Sequence, residues 1–349
     1  MKVVSTSALP IDLAAQVTAA LPGTVVEVPA NGHVGLAGVD LASADALVCL
    51  LLDRIDAAVL ARAPRLRVVA NCAVGYDNVD LAAATAAGVC VTNTPDVLTE
   101  ATAELAFALI LACARRIGEG ERLVRSGAWT GWALDQLLGI QLAGKTLGII
   151  GYGRIGRALA RRAIGFGMRV LYADPQVAVG PTPDPGALSV NEVFAAADAI
   201  SLHCPLTPET RHLVNAERLA LMKPTAVLVN TARGGCIDEP ALIDALHRGR
   251  LFGAALDVYA REPEVSPELL ACPRLVLVPH IGSATTEART AMAQLCADAV
   301  IAALAGASVT SPASRPPARA RSRAPTTNTL PTVAPTFSAA VAASSRAAP

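Results

Sequence analysis

A strand–turn–helix signature near the middle of the chain constrains the fold more than any other feature. Residues 147–156 read Leu-Gly-Ile-Ile-Gly-Tyr-Gly-Arg-Ile-Gly, an apolar strand that runs into the pattern G-x-G-x-x-G and then into an amphipathic helix. Gly151 permits a tight turn, Gly153 lets the backbone approach a pyrophosphate, and Gly156 lets helix and strand pack closely. Because the strand and the helix flank the glycines, the pattern indicates a dinucleotide site.

A second strand, residues 168–173, ends in Asp174, at the offset from the glycines that is typical of a ribose-binding acid. A carboxylate there accepts hydrogen bonds from the ribose hydroxyls and repels a 2′-phosphate. The sequence therefore predicts NAD as the cofactor, present as NADH in the reducing direction. The alternative is a surface aspartate in an ordinary βαβ unit. Arg154 and Arg157 could assist a phosphate or lie on the solvated face of the helix.

Length and patterning predict more than one domain. A chain of 349 residues exceeds the usual size of a single core. Short β-rich runs alternate with helical stretches both before and after a long helix, which is predicted over 99–117 with Thr99 as its cap. This alternation favours an α/β fold with two parallel-sheet arrays. Residues 311–349 are rich in Pro, Ala, Ser and Thr, with five arginines and no acids, and are expected to form a disordered tail.

Composition excludes several classes of function. The formal net charge is zero, which gives no electrostatic reason to expect nucleic acid or an acidic membrane as partner. None of the eight cysteines has C-x-x-C spacing, so we expect neither a metal site nor a disulfide framework. The longest apolar run, residues 105–114, is too short to span a membrane. We therefore expect a cytoplasmic protein without a membrane partner.

Three later segments end in side chains suited to carbonyl reduction. Arg233 follows an apolar strand and precedes two glycines, Glu262 lies beyond the next strand, and His280 follows a third. Ligands of open α/β sheets bind outside the carboxyl ends of the strands, where these residues would converge. Arginine binds a planar carboxylate bidentately, and histidine is the natural proton donor near neutral pH. A neighbouring Glu262 would favour the imidazolium form of His280, which is the form that donates.

These features make the sequence resemble the D-isomer-specific 2-hydroxyacid dehydrogenases, and among them the glyoxylate/hydroxypyruvate reductases. The resemblance runs from about residue 68 to 304 and more loosely back to the N-terminus; beyond about residue 306 the chain departs from the family pattern. Besides the glycine loop, it rests on the motifs at 71–80, 93–99, 201–207, 230–234 and 279–285.

The resemblance implies NAD(H)-dependent reduction of a small 2-keto acid, glyoxylate or hydroxypyruvate being favoured, to the D-2-hydroxy acid. It implies catalysis by Arg233, Glu262 and His280, with His280 as the acid/base. The backbone at Val74 and Gly75 would bind the substrate carboxylate. Besides the glycine loop and Asp174, the implied cofactor contacts are Thr99, Tyr152, Arg154, Ile155, Cys204, Pro205, Thr231, Ala232, Arg233, Asp257, His280 and Gly282.

The family's architecture implies two Rossmann-like parallel-sheet domains, with the cofactor domain inserted into a discontinuous substrate domain. The substrate domain would comprise residues 1–97 and 285–310, and the NAD-binding domain residues 98–284, including the linker helix. The linker helix region would form the interface of a homodimer. Trp129 and Trp132 lie in an irregular segment beside it, and Trp132 either reaches the partner's substrate pocket or packs in the interface.

Two other functions stay open on the sequence alone. The same fold could act on 3-phosphoglycerate, a phosphonate or formate, although no cation lies between Arg67 and Asp77 to bind a phosphate. Phosphonate-oxidising relatives would carry Lys in place of Val74, and formate-type relatives Gln in place of Glu262. A protein of a different class, an NAD-sensing interaction protein like the family's corepressors, could also retain the three residues.

Overall fold

Two parallel β-sheets, each packed between helices, organise the chain, and the fold class predicted from the sequence is confirmed. The computed structural model describes residues 1–175, 186–307, 309 and 313. The first sheet contains β1 (Lys2–Ser5), β2 (Val25–Glu27), β3 (Ala46–Cys49), β4 (Val68–Asn71) and β5 (Cys90–Thr92). Its strand order is β2-β1-β3-β4-β5.

The second sheet contains β6 (Thr146–Ile150), β7 (Arg169–Ala173), β8 (Ala199–Leu202), β9 (Val227–Asn230), β10 (Gly253–Leu256) and β11 (Leu275–Leu277). Its strand order is β11-β10-β9-β8-β6-β7. The chain adds β7 on one side of β6 and then crosses to add β8 through β11 on the other side. Every residue of β6, β8, β9 and β10 is buried, because helices cover both faces of the sheet. The continuous apolar runs in the sequence reflect this burial.

The helices found in the described residues are α1 (Leu13–Ala20), α2 (Ala57–Ala61), α3 (Leu81–Ala86), α4 (Thr99–Ala114), α5 (Ile117–Arg125), α6 (Arg154–Gly165), α7 (Val190–Ala196), α8 (Ala216–Leu221), α9 (Glu239–His247), α10 (Pro267–Leu270) and α11 (Thr286–Leu304). None of them is long and apolar enough to cross a membrane.

The long helix predicted over 99–117 is shorter, and its predicted cap is wrong. The helix α4 ends at Ala114, and the left-handed Arg116, with φ of 54°, separates it from α5. Thr99 is the first helical residue rather than the cap. The capping position is Leu98, which makes no side-chain hydrogen bond to the helix. The turn that starts α4 is closed instead by the backbone, since the Thr99 N–H donates to the Asp96 carbonyl at 3.0 Å.

The last helix returns to the first sheet. α11 packs on β3, β4, β5 and α1, whereas α4 packs on α6, β9 and β10 of the second sheet. The Arg67 guanidinium donates to the carbonyls of Ala303 and Leu304, at 2.9 and 3.1 Å, and so satisfies the end of α11. The boundaries at 97/98 and 284/285 stay predictions.

Two residues beyond α11 also reach the first sheet. Val309 packs into its core, and the Ala313 N–H donates to the Val91 carbonyl at 2.7 Å. The chain therefore resumes contact with β5 after the family pattern ends. Apart from Ala313, the predicted tail at 311–349 lies outside the described residues.

Candidate active site

The structure brings His280 and Glu262 together, as the sequence predicts, and their acid/base role stays a prediction. The Nδ1 atom of His280 lies 2.6 Å from Oε2 of Glu262. Burial alone would raise the pKa of Glu262, but the hydrogen bond and charge of His280, with the Tyr259 N–H, outweigh burial and lower this pKa. Glu262 is therefore ionised at neutral pH, and its carboxylate accepts the hydrogen bond of Nδ1 of His280. With Nδ1 occupied, Nε2 is the ring nitrogen left for a ligand.

Asp257 shapes the turn that carries His280. Its buried carboxylate accepts the N–H groups of Ile281 and Gly282, at 2.6 and 2.8 Å, and its carbonyl accepts the His280 N–H at 2.9 Å. Burial raises the pKa of Asp257, and the two hydrogen bonds oppose that rise. Asp257 thus accepts hydrogen bonds from the backbone of the 280–282 turn. The contact of Asp257 with the cofactor stays a prediction.

Arg233 reaches from the second sheet to a loop of the first. Its Nε donates to Oδ1 of Asp77 at 2.9 Å, and its Nη1 donates to the Ala232 carbonyl at 2.8 Å. The Nη2 atom points at Gly75, where an added Cβ would lie only 1.6 Å from it. The structure therefore brings Arg233 together with the predicted carboxylate-binding loop at Val74 and Gly75.

Three asparagine side chains hold that loop. Asn71 donates to the Gly75 carbonyl at 2.9 Å, Asn93 donates to the Val74 carbonyl at 2.8 Å, and Asn78 donates to Oδ1 of Asn71 at 3.2 Å. The carbonyls are thus turned toward the protein. Neither the Val74 nor the Gly75 N–H donates to another described residue. Two free donors beside a guanidinium form a site suited to a carboxylate.

The glycine loop has the shape that a pyrophosphate needs. Gly151, with φ of 92°, passes so close to the next strand that a Cβ would lie 2.7 Å from the Cys204 nitrogen. A Cβ on Gly156 would lie 2.4 Å from the Gly151 carbonyl oxygen, so both positions require glycine for packing. A Cβ on Gly153 would meet nothing within 4 Å. The space above Gly153, at the uncapped start of α6, is open and fits a phosphate.

The predicted ribose-binding acid is tied to the same loop. Oδ2 of Asp174 accepts the Tyr152 N–H at 2.7 Å. The Tyr152 ring stacks on Tyr172 with centroids 3.9 Å apart, and the Arg157 guanidinium lies 5.0 Å from the Tyr152 centroid. Arg154, at the start of α6, pairs with Asp96 at 2.6 Å. The residues present therefore fit a dinucleotide, with Asp174 beside the glycine turn.

The remaining predicted cofactor contacts lie near the carboxyl ends of strands and at the start of α4. The Thr231 Oγ1 atom, just after β9, is buried and has no hydrogen-bond partner within the described residues, as expected of a group that meets a ligand. The Cys204 side chain is turned inward, with its Sγ 4.0 Å from Sγ of Cys236. Ile155 and Val74 both pack against a small apolar cluster formed by Leu98, Ala288 and Met292. The roles of these residues, and of Thr99, Pro205, Ala232 and Gly282, stay predictions.

Trp132 does not pack into its own chain. It is 80% exposed, in a segment where Trp129, Leu134 and Leu138 are also exposed. The structure therefore does not bring Trp132 into the group formed by Arg233, Glu262 and His280. Its predicted place in a partner's pocket stays a prediction.

Sequence reasoning missed two residues of the site. Asp77 lies in the motif at 71–80 but was assigned no part, and Tyr259 lies between Asp257 and Glu262. Their partners, Arg233 and Val278, lie on other strand ends, so that only the folded chain reveals the contacts. The presence of Asp77 beside the predicted carboxylate loop was the one available signal.

Comparison with known proteins agrees with this geometry. The family described as D-isomer specific 2-hydroxyacid dehydrogenase, NAD binding domain, matches residues 107–282. A glyoxylate reductase of Pyrococcus furiosus is 53% identical over 264 residues, covering 74% of this chain and 79% of the relative.

Solved structures are similar over most of the chain. A protein of Thermus thermophilus is 45% identical, with a TM-score of 0.83 over 90% of this chain and 100% of the other. An NADPH-dependent glyoxylate/hydroxypyruvate reductase of Sinorhizobium meliloti is 33% identical, with a TM-score of 0.74 over 89% of this chain and 97% of the other.

Proposed function

The chain belongs to the family of D-isomer specific 2-hydroxyacid dehydrogenases, and on that premise we propose that it reduces a glyoxylate-type 2-keto acid to the D-2-hydroxy acid. Two contacts carry the proposal: His280 pairs with Glu262, and Arg233 lies against the Val74–Gly75 loop. The two are linked, because the charge of Arg233 acts on Glu262 and the Gly234 backbone lies against Tyr259. The glyoxylate reductase of Pyrococcus furiosus, at 53% identity, supports the choice of substrate class.

Arg233 and the loop at Val74 and Gly75 bind the substrate carboxylate in this proposal. The guanidinium still has N–H groups on Nη2 that are not used by Asp77 or Ala232. Together with the two backbone N–H groups, these donors fix the carboxylate in a plane. Fixing it also fixes the neighbouring C2 carbonyl, since the two groups share a bond.

His280 supplies the proton. A reduced nicotinamide held by the glycine loop and Asp174 would supply the hydride for this reduction. As negative charge develops on the carbonyl oxygen, Nε2 of His280 donates a proton to it, a contribution of about 10²–10⁴-fold to the rate. Glu262 holds Nδ1 of His280 and so leaves Nε2 for the transfer.

For the cofactor we propose NAD(H) over NADP(H), on the position of Asp174. Its carboxylate is held at the glycine turn by the Tyr152 N–H, where its charge would repel a 2′-phosphate. The similarity to an NADPH-dependent reductase makes this a point to measure. With glyoxylate as substrate, we expect wild type to prefer NADH and Asp174→Ser to lose most of that preference. A wild type that prefers NADPH would contradict the assignment.

The decisive experiment follows NADH oxidation with glyoxylate, hydroxypyruvate, 3-phosphohydroxypyruvate and pyruvate. We expect glyoxylate and hydroxypyruvate, whose side groups are small and uncharged, to be reduced faster than 3-phosphohydroxypyruvate, and also faster than pyruvate. His280→Ala should lose roughly 10³-fold in kcat, because it removes the proton donor. His247→Ala, on the exposed surface of α9, removes a histidine outside the site and should behave as wild type.

Each remaining outcome has a definite meaning. Unchanged turnover in His280→Ala would refute the mechanism. Preference for 3-phosphohydroxypyruvate would indicate that the enzyme acts on 3-phosphoglycerate. If the protein binds NADH but reduces no 2-keto acid, an NAD-sensing interaction protein becomes the better explanation.

A further inference from the structure

One tyrosine touches both segments that carry the acid/base pair. The Tyr259 N–H donates to Oε1 of Glu262 at 3.0 Å, and the Tyr259 hydroxyl donates to the carbonyl of Val278 at 2.8 Å. Val278 lies two residues before His280. A single residue is thus bonded to Glu262 through its backbone and to the His280 turn through its side chain.

The turn that carries Arg233 rests on the same residue. A Cβ added to Gly234 would lie 1.9 Å from the Tyr259 carbonyl carbon and 2.1 Å from its oxygen. Such a distance means that the Gly234 backbone lies directly against the Tyr259 peptide. The segments that follow β9, β10 and β11 therefore meet at Tyr259.

The His280 turn needs such support. His280 has φ of 52°, a left-handed conformation that non-glycine residues rarely adopt. Strained backbone persists only where its surroundings hold it. The Val278 carbonyl accepts both the His280 N–H, at 3.1 Å, and the Tyr259 hydroxyl. The tyrosine hydroxyl therefore fixes the carbonyl on which this turn closes.

The hydroxyl remains a donor over the working pH range. Burial, together with the negative charges of Asp257 and Glu262, raises the pKa of Tyr259 to about 12. Besides Glu262 and His280, the charged groups that act on this cluster are Asp257, Arg233 and Glu239. Glu239 accepts the Ala260 N–H at 2.7 Å and so anchors the segment after Tyr259.

We propose that Tyr259 is the positioning residue of this site, and that its hydroxyl sets the distance between His280 and Glu262 by holding the Val278 carbonyl. The inference rests on the proposed function, since it assigns how the proton donor is held for that reaction. Tyr259 itself touches no substrate atom. Its effect reaches the reaction through the Glu262–His280 contact.

The test uses Tyr259→Phe in the full chain, which keeps the ring and removes the donor. With NADH and glyoxylate we expect kcat to fall roughly 5-fold, the size of one lost hydrogen bond, while KM changes less than about 2-fold. Reduction requires protonated His280, so activity declines as pH rises. A longer contact with Glu262 stabilises imidazolium less, so this decline should begin at lower pH in the variant.

A second variant separates positioning from general loosening. Glu262→Gln removes the charge through which Tyr259 acts. Adding Tyr259→Phe to Glu262→Gln should therefore produce no further shift of the pH profile. An equal shift in both backgrounds would overturn the inference, as would a Tyr259→Phe profile that superimposes on wild type.

An NMR titration of the His280 ring keeps the inference testable without turnover. His280→Ala assigns the signal, and Tyr259→Phe should lower its titration midpoint. An unchanged midpoint overturns the role of Tyr259 whether or not the protein reduces keto acids. Conversely, a lowered midpoint in a protein that reduces no 2-keto acid overturns the proposed function but supports the role of Tyr259 in holding the His280–Glu262 contact.

Discussion

At the scale of the residue, the site depends on a glycine that makes room for a charged side chain. An added Cβ on Gly75 would lie 1.6 Å from Nη2 of Arg233 and 2.9 Å from Oδ1 of Asp77. The absence of a side chain at position 75 thus allows Arg233 to pair with Asp77 and face the loop at once. Any side chain at position 75 would therefore displace the Arg233 guanidinium.

We predict that Gly75→Ala abolishes most activity without unfolding the protein. The methyl group would displace only the end of a flexible side chain, so the melting temperature should stay within a degree or so of wild type. The displaced guanidinium should cost on the order of 10²-fold in kcat/KM for glyoxylate. Gly165→Ala, which adds the same methyl group in open space, is the control for activity. Wild-type kcat/KM in Gly75→Ala would contradict the geometry.

At the scale of the element, a glycine in β6 sets the distance between this strand and the helix α7. An added Cβ on Gly148, in β6, would lie 2.5 Å from Cγ1 of Val193 and 2.9 Å from Cβ of Ala197. The helix α7 therefore packs on the strand at a distance that only glycine permits. Gly165, at the end of α6, has nothing within 4 Å of an added Cβ.

The same substitution should act with opposite sign at these two positions. Gly148→Ala should lower the free energy of unfolding by about 1–3 kcal/mol, because the core there is already full. Gly165→Ala should raise it by about 0.5–1 kcal/mol, because alanine costs less entropy in a helix. Urea denaturation of the two variants beside wild type measures both values. Equal signs would show that α7 moves freely on β6.

At the scale of the whole molecule, one surface segment is unusually apolar. Four large side chains are exposed in it: Trp129, Trp132, Leu134 and Leu138. It follows α5, which itself exposes Ile117 and Val124. Large exposed apolar patches mark sites of association, with tryptophan the commonest anchor. We propose that this surface forms the homodimer interface.

Trp132→Ala should weaken such a dimer strongly. Loss of an anchoring tryptophan raises a dissociation constant by about 30-fold or more. Leu270→Ala, which removes an exposed apolar side chain on α10 outside the segment, is the matched control and should leave association unchanged. Analytical ultracentrifugation over a concentration series measures both. A wild type that is monomeric throughout would exclude the interface.

The order of elements was predictable because its causes are local. A run such as residues 226–229 is apolar throughout, and the chain needs no distant partner to favour a strand there. The glycine loop was predictable for the same reason, since turn, strand and helix are adjacent in sequence. Adjacent signals also gave Arg233, Glu262 and His280 as residues that follow strands. The end of α4 at Ala114 was not predicted. The turn that follows it uses a left-handed conformation at Arg116, where the sequence has no glycine to indicate such a turn.

The sequence by itself determined the two parallel sheets, the glycine turn and which side chains stand at the strand ends, since each depends on residues close together in the chain. The tertiary structure alone decided how those ends meet. The Arg233–Asp77 pair joins residues separated by 156 positions, and the Tyr259–Val278 bond joins two different strand ends. The first contact depends on how the two sheets pack, and the second on how β10 and β11 lie side by side in one sheet; no local pattern of residues encodes either. The side chains predicted to be catalytic were therefore identified from the sequence, while the contacts that orient them were visible only in the folded molecule.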